Sequence, residues 1–243
     1  MDSSKIDASQ RAQFLASSSP LSGQWLLALP ITSCGLRLED EAIRVAVALR
    51  LGLNLGAPHQ CRCGTMVDAR GVHALVCKHA PSRTIRHQQL NDLITRAIAS
   101  AGIPVTKEPT GLTRCDGRRP DGMTLIPWRE GKLLLWDVTV VNPLAESYIT
   151  TASRTAGGVA EQVAERKCNK YADLSSAYSF LPLAFEALGP ADIAAREFLQ
   201  DLGSKISSVT ADPRETAFLY QRISVTIQRF NCSLYHECFE KNP

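Results

Sequence analysis

The 243 residues are 44% apolar and 21% charged, the balance of a globular chain rather than a disordered one. A formal net charge of +3 permits a nucleic-acid partner without demanding one, because solvated Lys and Arg faces look the same in composition. Residues 1–19 are polar and Ser-rich with no apolar signal core, and the run 25–30 is far too short to span a bilayer, so no membrane partner is expected.

In chain order, residues 1–20 read as a flexible lead-in. A helix is expected over 38–51, with Glu39, Asp40 and Glu41 at its positive end and Gly52 as its left-handed stop. Residues 54–80 lack periodicity but hold Cys61, Cys63 and Cys77 among several histidines. Ser82 can cap a second helix carrying Leu90, Leu93, Ile94, Ala97 and Ile98 on one face and closed by Gly102. Short strands follow at 105–108 and 123–128, and a third, nearly all apolar, at 133–141, as expected of a strand covered on both faces. A long helix over 156–174, a fourth strand over 178–185, and helices over 190–206 and 212–230 complete the pattern. The order helix, three strands, helix, strand predicts an α/β core of about a hundred residues with helices on the sheet faces. The chain divides into a flexible lead-in and helical linker (1–57), a cysteine-rich knuckle (58–80), the α/β core (81–189) and C-terminal helices (190–243).

Asp137 stands in the middle of the apolar run, on the strand face it shares with Leu133, Leu135, Thr139 and Val141. An unpaired carboxylate buried there costs several kcal/mol, so a bound cation is the natural compensation, unless the sheet end reaches solvent and Asp137 caps a loop. Asp121 heads the preceding strand, and antiparallel pairing through the turn at 129–131 would bring the two acids together. Two carboxylates at a sheet end suit Mg²⁺. On the helix over 156–174, Ala160, Val163, Ala164, Tyr171 and Leu174 form one stripe, with Lys167 inside it and Lys170 at its edge. Lys167 either snorkels to water or places its ammonium among the aspartates, where it would help position the attacking water in a metal-assisted phosphodiester hydrolysis.

Eight cysteines without a secretory signal point to metal binding rather than disulfides. Cys61-Arg62-Cys63, nine residues to His73 and three more to Cys77 supply three thiolates and an imidazole, the donor set of a structural Zn²⁺ site. The single residue between the first two cysteines is tight for such a site. His59 or His79 could replace His73 as ligand, and a metal-free loop is the alternative. Cys34, Cys115, Cys168, Cys232 and Cys238 are scattered and read as ordinary thiols.

The ordered set Cys61, Cys63, His73, Cys77, then Arg86-His87 on a helix, Arg119-Pro120-Asp121, Asp137, and Lys167, Lys170 and Tyr171 resembles the C-terminal region of non-LTR retrotransposon proteins. There, a zinc knuckle leads into a restriction-enzyme-like PD-(D/E)XK endonuclease. The resemblance covers residues 20–230 and implies a nuclear, Mg²⁺-dependent endonuclease. It would nick double-stranded target DNA to prime reverse transcription, with RNA of the element as a second partner. It makes Asp121 and Asp137 the Mg²⁺ ligands, Lys167 or Lys170 the catalytic lysine with Tyr171 in support, and Arg86 and His87 phosphate contacts. Two features depart from the pattern: Thr139 stands where ordinary PD-(D/E)XK enzymes have lysine, and fifteen residues separate Asp121 from Asp137. No Tyr/Phe-x-Asp-Asp signature of a polymerase is present, so the chain is expected to be a fragment of a longer reading frame or a retained remnant. The competing reading is a DNA-binding or assembly module with decayed catalysis, which keeps the knuckle and Arg114, Arg118 and Arg119 as phosphate contacts.

Overall fold

The computed structural model describes residues 7–112, 119–174 and 176–239. Its first element is not a flexible lead-in but a helix, α1 (Ala8–Ser18), opened by the Asp7 amide donating to Gln10 Oε1 and buried along Ala12, Gln13, Ala16 and Ser17. Small residues on that face let α1 lie close to its neighbours, a signal that a polar composition conceals. A short turn of helix, α2 (Gln24–Leu27), buries Trp25. Next, α3 (Asp40–Leu51) has Asp40 and Glu41 in its first turn and stops at Gly52, whose φ of 71° is left-handed.

The cysteine-rich segment is a two-stranded antiparallel hairpin, β1 (His59–Gln60) with β2 (Met66–Val67), followed by a 3₁₀ turn over Val72–Leu75. It does not stand alone. Cys61, Val67, Ala74, Leu75 and Cys77 belong to one apolar cluster with Ala12 and Ala16 of α1, Val45 and Leu49 of α3, and Leu234, Tyr235 and Cys238 near the C-terminus.

The α/β core begins with α4 (Ser82–Ser100). Ser82 is its first helical residue rather than its cap, because the Ser82 amide and hydroxyl both donate to the Glu237 carboxylate, at 3.1 and 2.6 Å. Strands β3 (Val105–Lys107), β4 (Gly122–Thr124), β5 (Leu133–Val141) and β6 (Tyr178–Glu186) form one mixed sheet in that order. The first three pair antiparallel, and β5 pairs parallel with β6 over its full length. The expected second strand over 123–128 ends at Thr124: Leu125 still donates to the Pro104 carbonyl, but Pro104 and Pro127, both lacking an N–H, cannot extend the ladder.

Between β5 and β6 come α5 (Ile149–Ala152) and the crossover helix α6 (Gly158–Lys170). The latter is shorter than the expected 156–174: Gly157, left-handed at φ 78°, precedes it, and a separate 3₁₀ turn covers Ala172–Leu174. Two long helices finish the fold, α7 (Ile193–Thr210), capped by Asp192 accepting from the Ala195 amide, and α8 (Glu215–His236).

The period of two along β5 sorts its side chains. Leu134, Trp136 and Val138 face a core made by Leu90, Ile94 and Ile98 of α4 with α7 and α8. The opposite face, carrying Asp137, meets α6, whose Ala160 and Ala164 pack on Ala184 of β6. Alanine contacts bring α6 close to the sheet, within reach for a lysine on its final turns. Among the described residues, no helix is long and apolar enough to cross a membrane.

Candidate functional site

The register Gly122↔Trp136 and Met123↔Leu135, continued by one step, sets Asp121 opposite Asp137. Asp121 is fixed on three sides. Its amide donates to the Trp136 carbonyl (2.9 Å), its carbonyl accepts from the Glu108 amide (3.0 Å) and from Asn91 Nδ2 (3.1 Å), and its Oδ2 accepts from the Val138 amide (2.6 Å). From α4, His87 Nε2 lies 2.9 Å from the same Oδ2. Ligand atoms of His87, Asp121 and Asp137 all fall within 4.8 Å of one another, close enough to share one cation.

Asp137 is only 7% exposed. Lys167, on α6, forms an ion pair with its Oδ1, and the buried Tyr171 hydrogen-bonds to the same carboxyl group. The Asp137 pKa is nonetheless raised, first by burial and then by the negative charge of Asp121, with Lys167 and Tyr171 pulling the other way. One ammonium does not offset the burial of two neighbouring acids. His87 is shifted upward, chiefly by its hydrogen bond to Asp121. The arrangement can hold a divalent cation and keep an ammonium beside it.

The expected residues therefore divide. Asp121, Asp137, Lys167 and Tyr171 come together, whereas Lys170 places its Nζ 4.9 Å over the Tyr171 ring. His87, expected at DNA phosphate, instead joins the carboxylates. Its neighbour Arg86 is 3% exposed and donates to Asn231 Oδ1 (3.2 Å), so its side chain lies inward against α8 rather than on the open surface. Arg119 is partly exposed and paired with Glu108. Arg118, Arg114 and Cys115 lie outside the described residues. Asn91 was missed altogether. It stands one helical turn after His87, and its Oδ1 accepts from the Trp136 indole (2.8 Å) while its Nδ2 holds Asp121.

Cys61, Cys63, His73 and Cys77 form the second group able to hold a metal ion, with all four ligand atoms within 4.8 Å of one another. Cys63 Sγ is 3.2 Å from His73 Nε2, and Cys61 Sγ is 3.7 Å from Cys77 Sγ, far beyond the length of a disulfide. Hydrogen bonds from Thr65 bring the Cys63 thiol down to about 6, while burial pushes Cys77 up to about 11. Cys238 is not a scattered thiol. It is fully buried, and its pKa is raised first by burial and then by contact with Cys61. Sequence alone offers no link between it and the knuckle, because the two are joined only by the return of α8.

No protein-family model matches the chain, and no curated protein matches it as a relative.

Proposed function

We propose that the chain is the metal-dependent endonuclease region of a non-LTR retrotransposon protein, with a PD-(D/E)XK-type core behind a zinc knuckle. It would nick double-stranded DNA in the nucleus so that the freed 3′ end primes reverse transcription of the element's RNA. The observation that carries this reading is the convergence of His87, Asp121 and Asp137 on one point, with the Lys167 ammonium on Asp137. The element order from α4 to β6, helix, three strands, helix, strand, is the one this core requires.

The donor sets fit two different ions. Hard carboxylate oxygens beside one imidazole suit Mg²⁺ at His87, Asp121 and Asp137. Three sulfurs and a nitrogen suit Zn²⁺ at Cys61, Cys63, His73 and Cys77. A tetrahedral Zn–thiolate site has sulfur–sulfur edges of about 3.8 Å, against the 3.7 Å between Cys61 and Cys77.

Mg²⁺ at the carboxylates would polarise a phosphoryl oxygen and acidify a water. The protein's own groups do the rest. Lys167 offsets charge on the phosphate and helps place the water, and Tyr171 holds Asp137 in position. His87 would complete the cation's protein ligands beside the two carboxylates. Asn91 fixes the main chain that carries Asp121.

The test is nicking of supercoiled plasmid with Mg²⁺. Asp137→Ala should slow it by on the order of a thousandfold, the rate equivalent of several kcal/mol. Equal nicking by both proteins would sink the assignment of Asp137, and nicking by neither would leave only a DNA-binding module with decayed catalysis.

A further inference from the structure

Beside the carboxylate group lies a cleft of about 650 Å³. Its walls come from three places in the chain: Lys78, next to the last knuckle cysteine; Arg83, Arg86 and His87 on the first turns of α4; and Thr139 on β5. The sequence dictates this clustering. Positions 83, 86 and 87 are spaced three and four apart and so share one helix face, and Thr139 follows Asp137 by two and shares its strand face. His87 belongs both to the cleft and to the carboxylate group, so the two are continuous. Among the described residues, no acidic side chain lines the cleft.

Arg86 is the informative member. A guanidinium buried to this degree ordinarily sits against a carboxylate, because an uncompensated buried charge is costly. Among the described residues its one side-chain partner is the neutral Asn231, and its Nε has no hydrogen-bond partner. Burial and the nearby Arg83 together bring its pKa down to about 10. Among the described residues its charge lacks a counter-anion, and the adjoining open cleft carries Lys78 and Arg83 with neutral side chains and no acid. A phosphate group supplies the missing charge.

We infer that this cleft binds a backbone phosphate of double-stranded DNA on the knuckle side of the cut, with Lys78 and Arg83 at its rim and Arg86 beneath. The inference rests on the endonuclease reading for the identity of the anion's carrier. It assigns the cleft a role that reading does not need: registering the duplex so that the phosphodiester to be cut lies against Asp121 and Asp137. On this view the knuckle presents Lys78 to the same strand, and part of its purpose is DNA placement.

The test uses the full chain with Ca²⁺ in place of Mg²⁺ and a short fluorescein-labelled DNA duplex, followed by anisotropy at several salt concentrations. Lys78 and Arg83 are exposed, so the double variant Lys78→Gln/Arg83→Gln should fold normally. It should weaken binding about tenfold or more at low salt and reduce the slope of log K against log salt by about two, one for each cation removed from the phosphate backbone. Arg96→Gln/Arg222→Gln, which alters the separate groove between α4 and α8, is the matched control and should keep the wild-type slope. A wild-type affinity and slope for Lys78→Gln/Arg83→Gln, or an equal loss in the control, overturns the assignment. Asp137→Asn in the Mg²⁺ plasmid-nicking assay separates the two readings. Retained nicking by that variant defeats the nuclease, while the cleft is still judged by binding alone.

Discussion

Trp136 covers the bare Cα of Gly122 so closely that a Cβ at position 122 would stand 2.0 Å from the indole ring. This contact sets the spacing of β4 against β5, and with it the position of Asp121, the residue before Gly122. The indole is fully buried, and its Nε1, bonded to one of the ring carbons nearest Gly122, is anchored by Asn91. One aromatic side chain thus holds the strand that supplies an acid and contacts the helix that supplies His87.

Gly122→Ala is expected to push β4 off β5 at a cost of about 1–3 kcal/mol, the usual penalty for overpacking. Thermal unfolding should show a lowered midpoint. Nicking should fall further than the midpoint explains, because Asp121 moves away from Asp137. A loss of stability with full activity would mean that Asp121 is held by other means.

Asn91→Leu removes the acceptor for the Trp136 indole and the donor to the Asp121 carbonyl. The buried indole N–H left without an acceptor should cost about 1–3 kcal/mol, while the Asp121 carbonyl keeps the Glu108 amide. As a positioning residue, Asn91 should affect kcat more than KM. Asn91→Asp keeps the acceptor for the indole and should recover part of the stability but not the hold on Asp121.

Glu186 predicts a pH dependence of stability remote from the site. It is buried, accepts from the Val159 and Ala160 amides at the start of α6, and burial raises its pKa from 4.5 to about 7. A carboxyl whose folded pKa exceeds its unfolded one favours the fold in its neutral form. The contribution is complete below about 4.5 and is lost as pH rises through about 7. The full span is worth about 3 kcal/mol. The wild-type midpoint should fall across that window more steeply than that of Glu186→Gln, and parallel curves would refute the assignment.

Stripping the knuckle of its metal should loosen more than the knuckle. Glu237 binds Ser82, the Glu237 carbonyl accepts from Arg62 (2.9 Å), Phe239 stacks on His59, and Cys238 is buried against Cys61. A zinc chelator should therefore abolish amide-exchange protection in residues 59–80 and 232–239 together, with β5 and β6 little affected. Loss confined to 59–80 would show that α8 holds its end without the metal.

Much of the core was legible because its signals are local. The apolar run gave β5 its full span of Leu133–Val141, and the oddity of an acid within it marked Asp137. The stripe on α6 held Lys167 with Lys170 at its edge and left the choice between them open; the fold puts Lys167 on that acid. What could not be read depends on partners far along the chain. The inward turn of Arg86 is set by Asn231 on α8, the approach of His87 to Asp121 by the docking of α4 on the sheet, and the burial of Cys238 by the knuckle. The expected length of the second strand failed for a local reason that was available, the proline at position 127.

The nuclease reading requires His87, Asp121 and Asp137 to hold a divalent cation. Mn²⁺ titrated into protein whose knuckle is already zinc-loaded, followed by the electron paramagnetic resonance signal of free Mn²⁺, tests it without relying on catalysis. Wild-type protein should silence about one equivalent of the ion, and Asp137→Asn should leave the free signal undiminished at the same concentrations. Equal uptake by both proteins, or none by either, would contradict it.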